Sequence, residues 1–197
     1  MQKYKINELY RKAIHISNII IPFGYLYIFQ EKIEMLIILS FFLILCFFIE
    51  LARKKNDRVL SFFNKYFRFM MRENEKEGSL TGATWVFVGA LFTILLIPAP
   101  FSILSLLFLS VGDTFAALIG MQFPYLKLGE KTLSGSIAGF IACLISGLII
   151  DIHISNDVLI FGAFMAMFIE IVPLSFDDNV TIPIFSGSSM YFYNLVV

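Results

Sequence analysis

FSILSLLFLSVGDTFAALIG, residues 101–120, is long enough to cross a bilayer and carries one charge, Asp113. About 20 consecutive apolar residues span a ~30 Å hydrocarbon layer as a helix. A carboxylate inside such a run is costly and marks function by default. The same pattern recurs on both sides. Apolar runs cover 14–30, 33–51, 80–97, 133–150 and 158–174. A seventh stretch, 180–197, is apolar but holds Pro183 and Ser186-Gly187-Ser188-Ser189, so it reads as a further span or a re-entrant segment.

The 197 residues are 58% hydrophobic and 15% charged, against roughly 45–50% and about 25% in soluble domains. The reading is an all-α polytopic transmembrane bundle, one domain over 1–197. The composition excludes a disulfide scaffold, a disordered tail and a nucleic-acid binder. Cys46 and Cys143 both lie in apolar runs, where a disulfide or zinc site is not expected. The first run lacks a small-residue cleavage site, so no cleavable signal peptide is expected.

Fourteen of the 15 Lys and Arg residues fall in the N-terminal tail (Lys3, Lys5, Arg11, Lys12), in 52–79, or in the 121–132 loop; Lys32 is the exception. The positive-inside rule makes that side cytoplasmic and the N-terminus internal. The outer connections are short: Glu31-Lys32, Pro98-Ala99-Pro100 and the acidic Asp151–Asp157 loop. Residues 57–72, DRVLSFFNKYFRFMMR, interleave aromatic and basic residues at helical spacing. They read as an amphipathic helix on the inner membrane face or as a linker helix packed on the bundle. The expected location is a prokaryotic-type cytoplasmic membrane.

His15, Glu50, Asp113 and Glu170 lie within the apolar runs, all toward the inner side; Asp113 is about 10 Å deep at 1.5 Å per residue. A transporter site is usually near the midplane, often between internal repeats, and no repeat is evident. An inner-face site suits an enzyme joining a water-soluble substrate to a lipid head group.

Arg11 and His15 are four apart on one helix face with Lys12 beside them, a set able to grip phosphate or to anchor the helix. Asp113 calls for Mg²⁺ on phosphates or a cation from a neighbouring helix. Gly129-Glu130-Lys131-Thr132-Leu133-Ser134-Gly135-Ser136 is a basic, hydroxyl-rich loop entering a helix N-terminus, an anion-binding arrangement. Gly135, Gly139, Cys143 and Gly147 repeat every four residues as a packing seam, which would also permit a homodimer. Glu170, Asp177, Asp178 and Asn179 supply oxygen ligands or a helix cap. Glu50 and Arg53, three apart, suit an ion pair as well as catalysis.

RKAIH (11–15), GDTFAALIG (112–120), KTLSGSIAGF (131–140) and Glu170 followed by DDNVTIP (177–183) occur in that order. This ordered set resembles the CTP-dependent lipid kinases, which include dolichol kinase, phytol kinase and CTP-dependent diacylglycerol kinase. Phosphatidate cytidylyltransferases are more distant relatives. The resemblance runs from about 8 to 190. The chain departs from the family pattern at Met121, Pro124 and Ser134. What the resemblance implies is transfer of the terminal phosphoryl group of CTP to a lipid alcohol: a polyprenol, phytol or diacylglycerol. Asp113 and Asp178 are then expected to hold Mg²⁺, and Lys131, Arg11 and Lys12 to neutralise phosphate. Thr132, Gly135 and Ser136 would contact substrate, with Glu170 and Asn179 as further metal or nucleotide contacts. The base is His15 or Asp113. A phosphatidate cytidylyltransferase and a non-enzymatic transporter or scaffold are the alternatives.

Overall fold

The computed structural model describes the backbone of residues 2–150 and 152–197 and the side chains of 6–150 and 152–197. Lys3, Lys5 and Asp151, assigned above to the basic tail and the acidic loop, lie outside the described side chains.

The chain is mostly helical. In order come α1 (Gln2–Ser17), α2 (Ile20–Tyr27), α3 (Lys32–Lys55), α4 (Asp57–Tyr66), α5 (Glu73–Lys76), α6 (Gly82–Leu96) and α7 (Phe101–Gln122). A short hairpin follows, β1 (Lys127–Leu128) with β2 (Lys131–Thr132), then α8 (Leu133–Ile150), α9 (Asn156–Ile171) and α10 (Asp178–Asn194).

Three helices are long and apolar enough to cross a membrane: α3, α7 and α8. The other expected spans fall on shorter helices. The expected 14–30 run is broken at Asn18-Ile19 into α1 and α2, where Pro22 cannot donate to the Asn18 carbonyl. Helices α6, α9 and α10 have 15, 16 and 17 residues. The 180–197 stretch is not an irregular re-entrant loop. It lies largely in α10, which accommodates Pro183, and Ser186 Oγ donates a hydrogen bond to the Ile182 carbonyl at 2.7 Å.

Helix α7 is the central element. It packs on α1, α2, α6, α8, α9 and α10, and 72% of its apolar window is buried. Leu104, Leu107 and Phe108 are fully enclosed. The outer face is the reverse of a soluble protein's: Ile33, Phe41, Phe48, Ile145, Ile149 and Phe164 are all exposed. Such a surface fits a lipid environment. There, burial against lipid-like neighbours gives little hydrophobic gain, so close backbone packing carries more of the association. The seam at Gly135, Gly139, Cys143 and Gly147 serves that purpose within the chain. A methyl at Gly135 would meet the Ala116 carbonyl, one at Gly139 the Gly112 carbonyl and Met167, and one at Gly147 Leu159. The seam is therefore occupied by α7 and α9 and is not a free dimer surface.

The amphipathic segment is helical only as α4, over 57–66, and none of its residues is buried. Asn56 caps it by accepting from Arg58 N–H at 2.9 Å. A chain reversal then leads to α5. Behind it, Arg53 donates to Glu50 (2.7 Å), the Ser79 carbonyl (2.7 Å) and the Glu75 carbonyl (3.0 Å). Glu50 in turn accepts from Thr81 N–H (2.8 Å), Thr81 Oγ1 (2.7 Å) and Thr84 Oγ1 (3.1 Å). Glu50 and Arg53 are thus an ion pair that braces the α5–α6 connection, the simpler of their two readings. Burial pushes the Glu75 carboxyl above its usual range, although it accepts from Arg72 and Gly82 N–H groups.

Candidate functional site

Lys12 from α1 reaches Asp113 in the middle of α7: Nζ to Oδ2 is 2.5 Å, and both are buried. His15 Nε2 lies 3.1 Å from the same oxygen and 3.2 Å from the Leu109 carbonyl. Both neighbours of Nε2 are acceptors, so the network assigns its proton there, while Nδ1 faces the Asn18 amide at 3.5 Å. Of the two readings of Asp113, the cation from a neighbouring helix is present in the structure.

Lys131, on β2, bridges to α9 and α10: its ammonium is 2.8 Å from Glu170 Oε1 and 3.1 Å from Asp178 Oδ2. Burial opposes the charge, but Glu170, Asp113 and Asp178 together outweigh it and push the lysine above its usual range. The hairpin sets this reach. Gly129 takes φ +64° at the first of the two turn positions, where a side chain would be disfavoured. Thr132 then caps α8, its Oγ1 accepting from Gly135 N–H at 3.1 Å, and Ser136 Oγ donates to the Thr132 carbonyl at 3.2 Å.

Asp177 is the N-cap of α10. Its Oδ1 accepts from Asn179 N–H at 3.0 Å and from Asn179 Nδ2 at 2.6 Å. Its Oδ2 accepts from Arg72 at 2.7 Å. Burial works against the Arg72 charge, but Asp177 and Glu75 prevail and raise its pKa.

One cavity of about 280 Å³ gathers these groups. Of the residues expected from sequence, Arg11, Lys12, Asp113, Lys131, Thr132, Gly135, Ser136, Glu170 and Asp178 line it. His15 and Asn179 do not; His15 stands behind Asp113, and Asn179 is turned to Asp177. Glu8 and Arg72 line it and were not singled out from sequence; Glu130, named there only as part of the 129–136 loop, lines it too. Arg72 was one cation among many in 52–79, and its partner is 105 positions away. No local signal distinguishes it.

Cations and carboxylates in one cleft can hold a polyphosphate. Among the described residues no three His, Cys, Asp or Glu side chains converge as a metal group. Mg²⁺ does not require that: it commonly takes one or two carboxylates and keeps phosphate and water as its other ligands. Glu170 Oε2 is buried with no hydrogen-bond partner, the condition of an oxygen left for a ligand. With Asp113 and Asp178 beside it on the cleft wall, the donor chemistry fits Mg²⁺.

The chain is 26% identical over 185 residues to an uncharacterized protein of Rickettsia prowazekii, covering 90% of each. It is 28% identical over 182 residues to an uncharacterized protein of Methanocaldococcus jannaschii, again covering 90% of each. A probable chloroplastic phytol kinase of Triticum aestivum is 33% identical over 132 residues, 57% of this chain and 44% of that protein. No family model and no solved structure matches.

Proposed function

We propose that this chain is an integral membrane lipid kinase, with six or seven crossings and the N-terminus inside, in a prokaryotic-type cytoplasmic membrane. It transfers the terminal phosphoryl group of CTP to a lipid alcohol such as a polyprenol, phytol or diacylglycerol. The observation that carries this reading is the convergence of Lys12, Arg11, Arg72 and Lys131 with Asp113, Glu170 and Asp178 in one cleft. That cleft opens at the cation-rich end of a bundle with an apolar outer face. The partial likeness to a probable phytol kinase supports it. The short helices α6, α9 and α10 cross with their flanking residues and local thinning of the bilayer.

Phosphoryl transfer needs positioning and charge stabilisation more than covalent chemistry. Lys131 and Arg11, both lining the cleft, neutralise phosphate oxygens. Lys12 keeps Asp113 ionised, and Asp113, which faces the cleft, takes the proton of the lipid hydroxyl. His15 positions Asp113 from behind. Mg²⁺, held by one or two of Asp113, Asp178 and Glu170 with phosphate and water as its other ligands, would screen the charge of the phosphates. The lipid enters sideways between helices.

The test is a product assay on purified protein with Mg²⁺, CTP and, separately, a polyprenol, phytol, diacylglycerol and phosphatidate. CDP formed with an alcohol is the expected result. Pyrophosphate formed with phosphatidate would make it a cytidylyltransferase. No product and no CTP binding would make it a transporter or scaffold.

A further inference from the structure

A second cavity, about 200 Å³, adjoins the cleft. The two share Glu8, Arg11 and Arg72 as a common wall. The cleft, at about 280 Å³, is lined by charged groups suited to a phosphate chain, and the second cavity extends it past Arg11 and Arg72.

The adjoining walls have different chemistry. Asn7 and Glu8 come from α1, and Phe69 from the reversal after α4. The Phe69 ring is held edge-to-face by Tyr10 at 5.3 Å between centroids. An aromatic ring offers a stacking surface to a base. The Glu8 carboxylate accepts protons only, so it favours an exocyclic amino group and repels a keto oxygen. The Asn7 amide supplies both a donor and an acceptor for a ring edge. Arg11 and Arg72 stand at the junction, where a nucleotide's first phosphate meets its sugar. Each guanidinium is fixed by a carboxylate, Arg11 by Glu8 at 2.7 Å and Arg72 by Asp177 at 2.7 Å.

We propose that this second cavity is the nucleoside subsite of the phosphoryl donor, and that it accepts a base carrying an exocyclic amino group. The proposal rests on the phosphotransfer reading above. It gives the segment after α4 a direct role: Phe69 and Arg72 form one side of the nucleoside compartment, and the Arg72–Asp177 pair fastens that side to α10.

The experiment measures binding of CTP, UTP and inorganic tripolyphosphate to the purified full chain with Mg²⁺, in the wild type and in the Phe69→Ala and Glu8→Gln variants. Phe69→Ala should weaken CTP about tenfold and leave tripolyphosphate within about twofold, since that probe fills only the phosphate cleft. Glu8→Gln should narrow the preference for CTP over UTP, because a carboxamide can also donate to a keto oxygen. CTP binding unchanged in Phe69→Ala, with unchanged CTP/UTP preference in Glu8→Gln, would overturn the subsite and leave the kinase reading standing. A wild type that binds neither CTP nor tripolyphosphate would overturn both readings.

Discussion

Lys12 and Asp113, 101 positions apart, meet at 2.5 Å in a buried pair that fastens α1 to the centre of α7. Removing one partner of such a pair leaves an uncompensated charge, at a cost of about 3–5 kcal/mol, whereas replacing both by apolar groups is often near neutral. Lys12→Met should therefore lower the thermal midpoint in detergent strongly. Lys12→Met with Asp113→Leu should recover most of that loss. Activity should be absent from the double variant if Asp113 faces the reacting hydroxyl. A double variant that regains turnover would reduce the pair to a brace.

Lys131 is a separate case, because its side chain is one-third exposed. Water screens the ammonium, but Lys131→Ala leaves the buried Glu170 without its cation, so the midpoint should fall, by less than for Lys12→Met. Its two carboxylate contacts aim the ammonium into the cleft. Loss of one preorganised charge at a reacting group costs about 10²–10³-fold in turnover. Lys131→Arg should retain part of the activity. Steady-state kinetics on folded protein decide this, and an Ala variant within twofold of wild type would remove Lys131 from the chemistry.

The membrane class and the clustering of polar groups were legible because they rest on run length and on costly charges at His15, Asp113 and Glu170. The order of the helices followed from the same runs. What sequence could not supply were relations set by packing. Arg72 joins the cleft only because the chain reverses after α4 and brings it to Asp177. Asn179 was read as a contact from its neighbours, but sequence could not show that its Nδ2 donates to Asp177 in the α10 cap while its Oδ1 stays buried without a partner. The glycine seam was legible as a packing surface, but its partner was not: α7 and α9 fill it. His15 and Asp113 were equal candidates for the base in the sequence, and no sequence signal could show that Nε2 of His15 is directed at Asp113.

The Glu50–Arg53 pair is expected to act on folding alone. Arg53 is buried and donates to three acceptors, and a lysine cannot reproduce that fork. Arg53→Met should lower stability by about 3–5 kcal/mol, since Glu50 would remain buried without its cation. The protein that stays folded should keep its wild-type KM and turnover. A variant that is stable but inactive would instead move this pair into the catalytic machinery.

Gly89 governs how closely α6 approaches the start of α10. A methyl there would collide with the Asn179 carbonyl, the group that Pro183 cannot serve as a donor. Neither backbone can yield cheaply, so Gly89→Ala should cost about 1–3 kcal/mol as overpacking. The displacement falls on the first turn of α10, which carries Asp178 beside Lys131 and follows Asp177, the partner of Arg72. Turnover should therefore fall by more than stability alone explains. Gly24 in α2 is the contrasting position, with open space where a methyl would go. Gly24→Ala should stabilise by up to about 1 kcal/mol through helix propensity and leave turnover unchanged. Equal effects at the two sites would mean that the α6–α10 approach does not set the cleft.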